Sequence, residues 1–177
     1  MKYLLPIVLV LSMGAARAEA PYPVMSIDGL GKVKLGMTVA QAEAVLGKSL
    51  KHDPKDAESA ACDMTSVDQY GIQYMIENGK VTRIDVYADD NADGRPKRSM
   101  ILTDRGIGLG DSDETIRKLY GSAVVTSYRP YTGPAGRRLA VPNGDHTAAF
   151  MFETMNGRVD NLRVGFYPSV EYWEGCS

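Results

Sequence analysis

The chain has 177 residues, of which 24% are charged, and its formal net charge at pH 7 is −2. Basic and acidic residues are interspersed with a slight acidic excess, which excludes the positive footprint that nucleic acid requires. The length is that of one ordinary domain and is enough to bury a sizeable core.

Residues 1 to 20 read as an export signal. Lys2 supplies a positive start, residues 4 to 11 an apolar core, and Ala18-Glu19-Ala20 a small-residue cleavage site, cut after Ala20 or after Ala18. The apolar run contains Pro6 and ends at Ser12, short of the roughly 18 residues a membrane-spanning helix needs. With no cysteine near either cut, no lipid anchor is expected. The mature protein is expected to be soluble and periplasmic or secreted.

Residues 21 to 88 read as a first unit. Val33 and Leu35 alternate with Lys32 and Lys34 as a short strand, which Gly36 breaks. Thr38 is placed to cap a helix, Gln41 completes a capping box, and Gly47 supplies a left-handed stop. Val39, Ala42, Val45 and Leu46 share one face of that helix. Strands over 70 to 76 and 81 to 87 flank Asn78-Gly79, a hairpin signal because both residues accept positive φ. Along the second of these strands Val81, Arg83, Asp85 and Tyr87 oppose Thr82, Ile84 and Val86, an alternation too mixed to assign an inward face.

Residues 89 to 99 join this unit to a second, residues 100 to 177 with the C-terminal tail, and the second repeats the first. Leu35-Gly36-Met37-Thr38 has its counterpart in Leu109-Gly110-Asp111-Ser112, and Asn78-Gly79 in Asn156-Gly157. Ser112 is the expected cap of a helix whose first turn holds Asp113 and Glu114, whose stripe is Ile116, Leu119 and Tyr120, and which Gly121 ends. Gly133-Pro134-Ala135-Gly136 marks a loop between strands at 124 to 131 and 137 to 142. Strands over 147 to 154 and 159 to 167 flank the second Asn-Gly turn. The expected fold class is therefore α+β, two tandem helix-plus-antiparallel-sheet repeats forming one compact body.

The run over residues 36 to 47, Gly-Met-Thr with Ala42 and a closing Leu46-Gly47, followed by hairpin strands and then a second copy, resembles the beta-lactamase-inhibitory-protein-like fold. The same unit occurs singly in small outer-membrane assembly lipoproteins. The resemblance implies an exported, non-enzymatic interaction module. It departs from the lipoproteins in having no cysteine after the signal. From the inhibitors it departs in offering one long-range cysteine pair instead of a disulfide in each unit, so inhibition of a beta-lactamase is carried over to no residue.

Cys62 and Cys176 are the two cysteines of the chain. In an oxidising compartment one pair has one connectivity, a bond tying the first unit to the C-terminus; two buried thiols are the alternative.

Asp89, Asn91 and Asp93 followed by Gly94 match the first half of a calcium loop, with Arg95 contributing its carbonyl. The second half fails, because Met100 stands where the bidentate glutamate belongs and Pro96, Lys97 and Arg98 intervene. A solvated linker turn is the competing reading. The glycines at 106, 108 and 110 fit a tight strand-to-helix turn better than a phosphate cradle, since Asp111, Asp113 and Glu114 would repel phosphate. Asp145-His146 with Ser122 or Ser127 is the nearest approach to a hydrolytic set, without a nucleophile-elbow sequence.

Aromatic residues concentrate in the second unit. Tyr128, Arg129, Tyr131, Arg137, Tyr172 and Trp173 form the candidate binding set, because tyrosine, tryptophan and arginine give large contact area with a polar end. The functional expectation is a non-enzymatic envelope module that binds another protein, as an inhibitor or assembly factor, with no catalytic residue and no cofactor. A calcium or small-ligand binding protein and an exported hydrolase are the alternatives.

Overall fold

A computed structural model describes residues 22 to 52, 61 to 66, 71 to 88, 100 to 173, and 175 and 176. Residues 1 to 20, read above as an export signal, and the calcium-like segment 89 to 95 lie outside the described residues.

The elements run in the order β1 (Met25–Ser26), β2 (Gly29–Leu30), β3 (Val33–Lys34), α1 (Val39–Leu46), β4 (Lys51–His52), β5 (Cys62–Ser66), β6 (Ile72–Glu77) and β7 (Lys80–Tyr87). They continue with α2 (Asp113–Tyr120), β8 (Val125–Tyr128), β9 (Gly136–Pro142), β10 (Ala148–Met155) and β11 (Arg158–Phe166). A single 3-10 turn, Ser169–Glu171, opens the C-terminal tail.

The local signals act as their chemistry requires. Thr38 caps α1 through a complete capping box with Gln41, and Gly47 closes it at φ 66°. Ser112 caps α2 by accepting from the Thr115 N–H at 3.2 Å. Asn78 and Gly79 have φ of 50° and 74°, and Asn156 and Gly157 have 51° and 74°, the paired positive values of a hairpin turn whose twist matches its strands. These turns also anchor the helix starts. The Val39 N–H donates to Gly79 O at 3.3 Å and the Asp113 N–H to Gly157 O at 3.1 Å.

The expected fold class is corrected. Among the described residues the structure is mostly β, 44% strand and 19% helical, with two α-helices of eight residues each. It is not a pair of helix-plus-sheet repeats. Eight antiparallel strands form one sheet in the order β4-β5-β6-β7-β11-β10-β9-β8, and β1, β2 and β3 form a small second sheet. The physical reason is the junction at the middle. β7 pairs with β11 from Asn161↔Tyr87 to Gly165↔Arg83, so the ladder is continuous and neither half closes its own sheet.

One face of the large sheet is apolar. Ile72, Tyr74, Ile84, Val86, Leu139, Phe150, Phe152, Leu162 and Val164 pack there with Ala42 of α1, Ile116 of α2, and Met25, Leu30 and Val33 of the small sheet. Two-turn helices are too short to be stable in isolation, so this packing is what holds them. Each large side chain buried there contributes about 1.5–3 kcal/mol.

The opposite face is crossed by the C-terminal tail. Val170, fully buried, packs with Ala149 and Met151. The tail ends in a disulfide between Cys62 and Cys176, across a sequence separation of 114, which on the chain-entropy picture stabilises by roughly 4–5 kcal/mol.

Candidate functional site

The strands that meet at the middle of the sheet carry a charged cluster into the space beneath the tail. Arg83 and Asp85 come from β7, Glu153 from β10, and Asn161 and Arg163 from β11, all within 3% of full burial. Arg83 Nε donates to Asp85 Oδ2 at 2.7 Å. Arg163 Nε lies 3.1 Å from Asp85 Oδ1 and its Nη2 lies 3.1 Å from Glu153 Oε1. Gly165 makes room for this arrangement, since a Cβ there would stand 2.9 Å from Thr82 O and 3.0 Å from the Arg83 side chain.

The tail supplies the remaining acceptors through its main chain. Arg83 Nη1 donates to Ser169 O at 3.1 Å and to Tyr172 O at 3.0 Å, and Arg163 Nη1 donates to Tyr172 O at 2.7 Å. Arg138 Nη2 donates to Glu171 O at 2.9 Å. Burial opposes the charge on Arg163, but Asp85 and Glu153 outweigh it and hold the guanidinium above its ordinary pKa. Tyr87, partly buried beside Asp85, is pushed up to about 12 by burial first and by that carboxylate second. The cluster is therefore consumed internally. Its charges are matched by carboxylates and tail carbonyls, as buried charges require, although Arg163 Nε, Arg138 Nε and Glu153 Oε1 stand at ion-pair distance without completing a hydrogen bond.

The predicted binding residues divide at this boundary. Arg129 is tied to Asp160, Nη1 to Oδ2 at 2.6 Å, with Nη2 3.5 Å from Glu153, and so belongs to the charged cluster. Tyr172 contributes chiefly its carbonyl to Arg83 and Arg163. Tyr128, Tyr131, Arg137 and Trp173 stay on the outside in two groups: Tyr128 and Arg137 lie on the Leu139 side of the sheet, whereas Tyr131 and Trp173 gather with Arg138 on the tail side. The Tyr131 and Trp173 ring centroids are 5.8 Å apart, Arg138 lies over the Trp173 ring at 5.7 Å, and Arg137 over the Tyr128 ring at 5.0 Å. Tyr128 is 73% exposed and Tyr131 is 93% exposed.

Tyr131 holds φ at +57°, a left-handed conformation uncommon for a large side chain and costing roughly 1–3 kcal/mol unless its surroundings impose it. The loop around it is pinned by Thr132 Oγ1 donating to Arg129 O at 2.7 Å and by the Arg137 guanidinium donating to Pro134 O. Tyr120, in contrast, is a core residue, its ring 5.8 Å from that of Phe152.

Asp145 and His146 fall in the β9–β10 turn. The Asp145 carboxylate accepts from the Thr147 hydroxyl at 2.6 Å and its N–H at 3.1 Å, which lowers its pKa. No hydrogen bond among the described residues joins His146 to Asp145, Ser122 or Ser127. No cluster of three or more His, Cys, Asp or Glu able to hold a metal occurs among the described residues. No described helix is long and apolar enough to cross a membrane.

Sequence reasoning passed over Arg83, Asp85, Glu153 and Arg163. The available signal was the charged pair at alternate positions of an otherwise apolar strand, which marks a strand covered on both sides. Comparison with protein families, curated proteins and solved structures gives no match.

Proposed function

We propose that the protein is an exported, non-enzymatic module that binds another protein of the cell envelope, through Tyr131 and Trp173 on one side of the β8 end of the sheet and Tyr128 and Arg137 on the other. The observation that carries the reading is Tyr131. A tyrosine almost wholly in solvent, at a positive φ and with its ring beside that of Trp173, costs stability and returns none by burial. Such a group suits the centre of a binding patch, where rigid aromatic area is desolvated by the partner. The leader at residues 1 to 20 supports export, and the resemblance over residues 36 to 47 to a family of protein inhibitors points the same way.

The experiment is capture and crosslinking of the mature protein in native envelope, compared with a variant carrying Tyr128→Ala, Tyr131→Ala and Trp173→Ala. The reading predicts a discrete partner retained by the wild type and lost by the variant. A partner held equally by both, or none, contradicts it.

A further inference from the structure

The two ends of the large sheet differ in how they are finished. On one side it stops at β4, two residues long, one of them Lys51. On the other it stops at β8, Val125–Tyr128, with all four residues exposed. Edge strands are normally shortened, or guarded by lysine or proline, because their free backbone groups template pairing with another chain. The sequence Val-Thr-Ser-Tyr holds neither guard.

The register says which groups are free. β8 pairs with β9 from Val125↔Ala140 to Tyr128↔Arg137, and the Arg129 N–H donates to Gly136 O. Antiparallel pairs alternate between bonded and non-bonded positions, so Val125 and Ser127 bond to β9 while Thr126 and Tyr128 turn their N–H and C=O outward. Among the described residues no strand follows β8 in the sheet. Two donors and two acceptors thus stand in a row at strand spacing.

The two charged side chains that contact β8 are both arginines. Arg117 of α2 donates from Nη2 to Thr126 Oγ1 at 2.8 Å, and Arg137 sits opposite Tyr128 with its guanidinium over the ring. β8 itself carries no charged residue. We propose that the outer edge of β8 is a strand-addition site for an extended, acidic segment of a partner protein. The inference rests on the protein-binding reading above and supplies its mode and the chemistry of the partner. A second copy of this chain fits less well, because pairing β8 with β8 would bring two sets of Arg117 and Arg137 together on strands that carry no acid of their own.

The test uses a short synthetic peptide alternating Glu and Val, with a Lys and Val analogue as control, and follows binding by fluorescence anisotropy and by amide hydrogen exchange. The acidic peptide is expected to bind and to slow exchange at Thr126 and Tyr128, and the basic one to bind at least about tenfold more weakly. Thr126→Pro deletes an outward N–H and leaves the β9 ladder whole; it should weaken binding by about tenfold or more. Arg117→Glu with Arg137→Glu should invert the preference between the peptides while keeping the outward N–H and C=O groups of Thr126 and Tyr128, so the site remains testable if the proline variant folds poorly. Equal binding of both peptides, no binding at millimolar peptide, or protection of the edge amides by self-association would each overturn the proposal. If the edge fails these tests while Tyr131→Ala still weakens partner capture, strand addition is wrong and the binding face stands. If neither set of variants matters, both readings fall.

Discussion

The buried charged cluster and the exposed aromatic face lie side by side, share Arg138 and the C-terminal tail, and use the same residue types to opposite ends. Under the tail, arginines are matched by Asp85, Glu153 and main-chain carbonyls. Outside it, Tyr128 and Tyr131 present their rings to solvent. Chemistry-bearing side chains are therefore a poor guide to function until their partners are known. A guanidinium whose charge is matched inside the protein holds the fold, whereas a tyrosine that the fold leaves in solvent is available for something else.

The comparison breaks first at the disulfide, because the tail covers the cluster and also carries Trp173. Cys62→Ser with Cys176→Ser should lower unfolding free energy by roughly 4–5 kcal/mol, measured by denaturant titration. The variant should also lose the near-ultraviolet signal of the Tyr131 and Trp173 pair. A change in stability without that spectral change would separate the two regions.

Next in size is the cluster alone. Glu153→Ala leaves Arg163 and Arg138 without their shared carboxylate and should cost about 3–5 kcal/mol, while binding of a partner by the intact fold changes little. A larger loss of binding than of stability would place function inside the cluster after all.

Alkaline titration probes the two sides of the sheet separately. Tyr74 on the apolar face and Tyr87 on the charged face are both raised to about 12. The native state then holds these protons more tightly than the unfolded chain, so the associated stability is full below pH 10 and is lost as pH rises toward 12. Melting temperature should fall across that window. Tyr87→Phe and Tyr74→Phe should each flatten the fall, and no flattening would show that neither phenol is linked to folding.

The smallest expected effect on stability belongs to Tyr131. Tyr131→Ala should shift unfolding by no more than about 0.5 kcal/mol, and Tyr131→Gly should stabilise by up to about 1 kcal/mol by relieving its positive φ. Both should reduce partner binding by about tenfold or more. Denaturant titration and a binding isotherm on the same samples check the pair.

What was legible in the sequence was local. Thr38 with Gln41, Ser112, Gly47 and the two Asn-Gly turns report backbone geometry within a few residues, and each is found where its chemistry puts it. The Cys62–Cys176 bond was also legible, because two cysteines allow one connectivity. The fold class was not. Helix caps and hairpin turns recur in both halves, yet nothing local reveals that β7 joins β11 across the middle, and that pairing turns two apparent units into one mostly-β sheet. Arg83 and Asp85 were obscured for a related reason: the tail that buries them arrives from residues 169 to 172. Of the candidate binding residues, exposed Tyr128 and Tyr131 could be chosen by composition, but only coordinates separate them from Arg129, whose charge is spent on Asp160.

Site-specific photo-crosslinking from opposite ends of the same sheet tests the central claim most directly. A photoreactive side chain at position 131, beside β8, is compared with one at Lys51 on β4, in mature protein within native envelope. The account predicts a discrete crosslinked partner from position 131 and none from position 51. The same partner from both positions, or from position 51 alone, would contradict it.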